Sequence, residues 1–182
     1  MPLLITAVAL VGLLAALDLL LTVGVIKRLR DHADLISDKA NADAPVPLDI
    51  GEEVGNFSVT SADDEELTLA DLDGETLVAF FSPNCTPCKE KLPLFTEYAR
   101  HFPGGPRQVL AVIAGGAEGG GRFAETLRPV ARVVREDYNG EVGAAFQAKA
   151  YPTLLLVGRE PDGRVVVRDN QVDVTAGLPL AA

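Results

Sequence analysis

The placing of apolar and polar positions divides the chain into three stretches. The first, "PLLITAVALVGLLAALDLLLTVGVI" from Pro2 to Ile26, is apolar apart from Asp18. About 20 apolar residues suffice to cross a bilayer as a helix, so the pattern predicts a membrane anchor over residues 1–30, held in lipid through 2–26. A cleaved signal peptide would carry a basic n-region and a shorter apolar core. No Lys or Arg precedes this run, and the small-x-small triplet Ala42-Asp43-Ala44 lies far downstream, followed by Pro45. A buried core helix is the other alternative; an uncleaved anchor is the expectation. Asp18 lies past the middle of the span, where a carboxylate is costly. It reads either as a group turned toward a partner helix or neutralised by protonation, or as a blemish that a strongly apolar helix tolerates.

The second stretch, "DHADLISDKANADAPVPLDI", is polar and ends in prolines. It predicts a stalk over 31–49, helical in its first part and extended where Pro45 and Pro47 exclude helix. The third, 50–182, alternates between strand-like and helix-like patterns. "NFSVT" (56–60) and "ELTLADL" (66–72) flank the turn-forming "SADDE", which predicts a hairpin or a strand and short turn. "TLVAFFS" (76–82) and "QVLAVIA" (108–114) are continuous apolar runs of strand length, expected when both faces of a sheet are covered. Leu92, Phe95, Tyr98 and Phe102 give 86–102 helical spacing, and "RFAETLRPV" (122–130) reads as helix up to the residues before Pro129. "ARVVRE" predicts a short strand, "GEVGAAFQA" a short helix, and "TLLLVG" and "RVVVRD" two strands around the turn "EPDG". The order implies an α/β domain with a mixed central sheet flanked by helices, ending in an irregular tail over 170–182.

Charge narrows the function classes. The whole chain carries a net charge of −10. Residues 1–30 hold three of the 16 basic and one of the 26 acidic side chains, so the remainder has 13 against 25 and a net charge of −12. Nucleic acid is not an expected partner, because a phosphate backbone is held by clustered Lys and Arg. An acidic balance is otherwise the mark of a solvated surface. The patch "GGAEGGG" (115–121) lacks the Gly-Lys-Ser/Thr ending of a phosphate loop and reads as a mobile loop after a strand.

The two cysteines, Cys85 and Cys88, are the only ones in the chain. Two cannot make a multi-bridge scaffold, which leaves chemistry or a metal. Cys85 is expected just after a central strand and at the start of a helix, with Cys88 one turn further on. Unpaired N–H groups and the helix dipole stabilise a thiolate at such a position. Cys88 is near enough to close a disulfide onto Cys85, so the pair can cycle between dithiol and disulfide. Pro87 suits a first helical turn, where its missing N–H is not needed. A zinc site would need about four ligands; beyond the pair there are only His32 and His101, neither at finger spacing, so no metal is expected and both histidines read as surface residues.

On these residues the chain resembles the thioredoxin-like thiol-disulfide oxidoreductases, and within them the membrane-anchored TlpA-like or redoxin group that includes the MauD-like accessory proteins. The resemblance covers about residues 50–168. It rests on "VGNFSVTSADDEELTLADLDGETLVAFFSPNCTPCKEKLP", similar to the group's entry hairpin, strand and active site, and on "AYPTLLLVGREPDGRVVV", similar to its second signature. It implies Cys85 as the attacking and Cys88 as the resolving cysteine. It likewise implies Pro93 as the proline that kinks the active-site helix, Pro152 as a cis-proline against the pair, and Tyr151 as the residue whose backbone pairs with a substrate segment. Read on its own, Pro152 would be a trans proline before a strand. The resemblance further implies protein disulfide or dithiol substrates, a membrane-embedded electron donor, no bound cofactor, a monomer, and a bacterial domain outside the cytoplasm. Thr86-Pro87 between the cysteines resembles the more reducing members, which favours reduction over oxidation of substrates.

The chain departs from the family at three positions. Asn84 stands where an aromatic commonly precedes the first cysteine, Ala79 where thioredoxins bury an acid, and Lys91, beside Glu90, where TlpA-like proteins often have an acid. Lys89 and Lys91 either support a thiolate or simply face solvent. Two other classes stay open. A peroxiredoxin would have Ser or Thr three residues before its cysteine, as Ser82 is, and a proline four residues earlier, where Val78 stands. A tethered binding module with a structural disulfide would not need the Pro152 signature. Lys27, Arg28 and Arg30 after the span would by the positive-inside rule put that end in the cytoplasm, opposite to what the family implies; the extracytoplasmic side is the expectation.

Overall fold

The computed structural model describes Gly12 and residues 48–115 and 117–175. The chain divides into two units, Met1–Ala44 and Pro45–Ala182, and apart from Gly12 the described residues lie in the second. The expected anchor and most of the stalk fall outside the described residues; among those described, no helix is long and apolar enough to cross a membrane.

Strands β1 (Ser58–Thr60) and β2 (Glu66–Thr68) form an antiparallel hairpin, followed by a 3-10 turn over Leu69–Asp71. Five further strands make the central sheet: β3 (Thr76–Phe81), β4 (Val109–Ala114), β5 (Arg132–Glu136), β6 (Thr153–Arg159) and β7 (Val165–Asp169). Their spatial order is β5-β4-β3-β6-β7, with β3, β4 and β5 parallel and β6 and β7 antiparallel to their neighbours. Helix α1 (Thr86–Arg100) links β3 to β4 through a 3-10 turn at Gly105–Gln108, α2 (Ala117–Leu127) links β4 to β5, and α3 (Glu141–Ala145) precedes β6. The mixed sheet with flanking helices is the expected architecture, of thioredoxin-like kind.

Every residue of β3 and β4 is buried, because each strand is central and carries cover on both faces. Alternate side chains feed two cores. Val78, Phe80, Leu110 and Val112 point to one, closed by Phe57, Leu67 and Phe146; Leu77, Ala79, Phe81, Ala111 and Ile113 point to the other, under Phe95, Ala99, Phe123 and Leu127 of α1 and α2. Leu92, Tyr98 and Phe102 pack against this second core as their spacing predicts.

The glycine patch differs from its sequence reading. Helix α2 begins at Ala117 and runs through the glycines at 119–121. Glycine costs a helix about 1 kcal/mol per residue relative to alanine, but burial of Phe123, Ala124 and Leu127 on the sheet outweighs that, since tertiary packing supplies most helical stability in proteins. Residues 170–175 of the tail form no helix or strand, and Val174 is buried against the second core.

Candidate active site

The carboxyl ends of β3, β4 and β5 lie side by side, and the start of the antiparallel β6 reaches the same edge. In open α/β sheets this is where sites form. At the end of β3 the chain turns through Ser82, Pro83 and Asn84, and Cys85 takes the N-cap position of α1 with φ −93° and ψ 120°. An N-cap side chain usually offers an oxygen to the free N–H groups of the first turn. Here sulfur does so: Cys85 Sγ accepts from the Cys88 N–H at 3.2 Å. Its thiol donates to the Tyr151 carbonyl, also at 3.2 Å. Pro87 lies in the exposed first turn, where no N–H is missed, and Pro93 lies on the exposed side inside α1.

Cys88 is fully buried in the second core. Burial first, and then the hydrogen bond it makes to neighbouring Cys85, push its thiol far above the usual cysteine range, while the Ser82 N–H, donating to Cys88 Sγ at 3.5 Å, works against them. Both cysteines are thiols, Cys85 partly accessible and Cys88 shielded. The two are therefore unequal: one can be reached by another molecule, and the other only by its neighbour.

Opposite them lies the segment before β6. The Tyr151–Pro152 peptide is cis, and Thr153, buried, fixes the turn by donating its hydroxyl to the Ala150 carbonyl at 2.8 Å. Tyr151 is half-buried and touches both cores. Burial, and next the Glu136 carboxylate, raise its phenol above the ordinary range. Glu136, ending β5, accepts from the N–H groups of Val142 and Gly143 at 3.0 and 2.8 Å at the start of α3; burial nonetheless holds its carboxyl above the usual range. Ala79, where thioredoxins bury an acid, lies wholly inside the second core. Lys89 is exposed and Lys91 half-buried, and His101 is exposed at the end of α1. Among the described residues no group of three or more His, Cys, Asp or Glu side chains is placed to hold a metal ion.

Sequence reasoning missed the partner of Ser82. The Ser82 hydroxyl, buried, meets the Tyr138 hydroxyl at 2.8 Å, and the Tyr138 ring lies 5.9 Å from that of Tyr151. Tyr138 sits in the turn after β5, where Gly140 N–H donates to the Asp137 carbonyl and Asn139 has φ +64°. The "EDYNG" turn signal at the end of a strand marks the loop; nothing in it marks the residue 56 positions away that it meets.

A model of the AhpC/TSA family matches residues 50–168. Among solved structures, the chain is similar to a thiol:disulfide interchange protein from Bacteroides sp., at 18% identity and TM-score 0.53, over 70% of this chain and 86% of that one. It is similar to the MTB protein dsbF at 19% identity and TM-score 0.52, over 65% and 87%. The thioredoxin domain of a thiol-disulfide oxidoreductase from Bacteroides vulgatus matches at 17% identity and TM-score 0.51, over 70% and 92%. Likenesses at this identity bear on the fold. No curated protein matches the chain.

Proposed function

The chain belongs to the AhpC/TSA family, and we propose that its Cys85–Cys88 pair exchanges electrons with disulfides of other proteins, as the dithiol of a membrane-tethered reductase acting outside the cytoplasm. The observation that supports this most is the inequality of the two thiols: Cys85 at a helix N-cap and partly accessible, Cys88 one turn behind it in the core. The Cys85 thiolate attacks one sulfur of a substrate disulfide; a Cys85–substrate bond forms, the substrate S–S bond breaks, and the leaving thiolate takes a proton from solvent. Cys88 then gives up its proton and attacks Cys85 Sγ. The Cys85–Cys88 disulfide forms and the second substrate thiol leaves, so two electrons have passed to the substrate. A membrane-embedded dithiol donor resets the pair. The Cys88 N–H and Ser82 N–H face the two sulfurs, where each offsets thiolate charge as it develops. The preference for reduction rests on Thr86-Pro87, and the tether on the apolar run 2–26.

The test is a trap. Cys88→Ser in the full chain, expressed in cells and quenched in acid, should hold specific extracytoplasmic proteins covalently and release them on reduction; Cys85→Ser should hold far fewer. If neither variant captures anything, or both capture the same abundant proteins, the exchange reading fails.

A second reading is a peroxidase, favoured by the family match and by Ser82 three residues before Cys85. Cys85 would reduce a peroxide to its alcohol and become a sulfenic acid, which Cys88 would convert to the disulfide with loss of water. Against it, the Ser82 hydroxyl is engaged by Tyr138 and not by Cys85. Peroxide consumption faster than disulfide reduction would reverse the ranking.

A further inference from the structure

We propose that Tyr138 is a specificity-determining wall of the substrate groove, selecting protein disulfides whose reacting cysteine is flanked by an aromatic or large aliphatic residue; this rests on the dithiol reading above. Large apolar side chains exposed to solvent are few among the described residues, and Tyr138, 49% exposed, stands with Ile50 and Leu94 in that class. It is the one of the three joined to the cysteine site. Its ring lies 5.9 Å from Tyr151, whose carbonyl accepts the Cys85 thiol, and its hydroxyl bonds Ser82 at the end of the strand that leads into Cys85.

The ring is also held in place. Beneath it is Gly115, at φ +96°, where an added Cβ would come within 2.5 Å of Tyr138 Cζ and 2.7 Å of its hydroxyl oxygen. So the first glycine of the "GGAEGGG" patch serves as the ring's seat: it supplies both a backbone conformation that other residues rarely adopt and the missing side chain. The ring is thus contacted at three points while about half of the residue stays exposed. Such a surface, beside a nucleophile, gains by burying an apolar side chain of an incoming segment. A small or charged neighbour of the substrate cysteine gains nothing there.

The experiment uses the full chain in detergent with three disulfides: hydroxyethyl disulfide, a peptide disulfide with Phe beside the cysteine, and the same peptide with Gly in that place. The wild type should reduce hydroxyethyl disulfide, and should favour the Phe peptide over the Gly peptide in kcat/KM by about tenfold, the discrimination that a single apolar contact supplies. Tyr138→Phe, which keeps the ring, should retain the ratio. Tyr138→Ala should bring it toward one, and Gly115→Ala, which displaces the ring, should do likewise. The ratio is internal to each variant, so a general loss of activity or folding does not imitate the result. No reduction of hydroxyethyl disulfide by the wild type would sink the dithiol reading itself. Reduction with equal rates on the two peptides, or a ratio that survives Tyr138→Ala, would overturn the specificity role alone; a ratio lost equally in Tyr138→Phe would assign it to the hydroxyl and overturn the ring.

Discussion

The two faces of the central sheet are built from the same strands, one side chain to each in alternation, yet they hold different things. On the first, Phe80 meets Phe146 at 5.5 Å and Phe146 meets Phe57 at 6.2 Å, under the hairpin and α3. On the second, Phe81 meets Phe95 at 5.2 Å and Phe123 at 6.3 Å, under α1 and α2, and Cys88 is part of the same core. The first face holds neither cysteine. On the second, packing is also what separates the cysteines chemically, because the burial that stabilises the fold is the burial that raises the Cys88 thiol and hides it.

The adjacent pair Phe80 and Phe81 therefore breaks or sharpens the comparison most directly. Phe→Ala at either should cost about 3–5 kcal/mol, from lost transfer energy and a residual cavity, read as a shift of the urea midpoint at unchanged m. The variants should part in a second measurement: under native conditions, iodoacetamide should reach Cys88 faster in Phe81→Ala and at the wild-type rate in Phe80→Ala. Equal exposure of Cys88 in both would make its shielding a matter of overall stability and erase the distinction between the faces.

What the sequence made legible follows the same division between local pattern and long-range contact. β3 and β4 stood out because central strands are apolar throughout, and α1 because Leu92, Phe95, Tyr98 and Phe102 recur at helical spacing. Cys85 and Cys88 were visible by their spacing at a strand-to-helix junction. The start of α2 was hidden by glycines whose intrinsic preference is overridden by Phe123 and Leu127 against the sheet. The contact of Cys85 with Tyr151 spans 66 positions, and only the family resemblance pointed to it. Ser82 with Tyr138, and Gly115 beneath Tyr138, had no such guide: they meet because parallel strands end side by side, and apolar periodicity specifies which face a residue takes but not which loops share an edge.

The first face has a polar fastening centred on the 3-10 turn. Arg159, at the end of β6, directs Nη2 to the carbonyls of Leu69, Ala70 and Leu72 at 3.1, 3.0 and 3.3 Å, and Nη1 to that of Gly163 at 2.7 Å. Arg132 reaches the Asp71 carbonyl from β5 at 3.1 Å. The 3-10 turn after the hairpin is thus tied to both sides of the sheet through its backbone. Arg159→Lys keeps the charge but loses the planar fork, and should lower stability by about 1–3 kcal/mol, the cost of leaving such acceptors unmatched. Cys88 labelling should not change. Faster labelling would mean that the two faces are coupled through the turn.

The smallest expected effect lies in the same turn and depends on pH. Asp71 Oδ2 accepts from the Thr68 hydroxyl at 2.7 Å and from the Thr68 N–H at 2.8 Å; the hydroxyl contact first and the N–H next hold its carboxyl below the usual range. A carboxyl whose pKa is lower folded than unfolded adds stability above the unfolded value, about 4, and loses it as pH falls through the folded value. The group is exposed, so solvent screening keeps its contribution below about 1 kcal/mol. Asp71→Asn should therefore trail the wild type slightly in urea midpoint at about pH 7, and the gap should close toward about pH 2, where both side chains are neutral. Cys88 labelling should be the same in both at either pH, since the turn covers only the first face. A gap that persists unchanged in acid would assign the stability to shape rather than charge, and a change in labelling would again join the faces that the packing keeps apart.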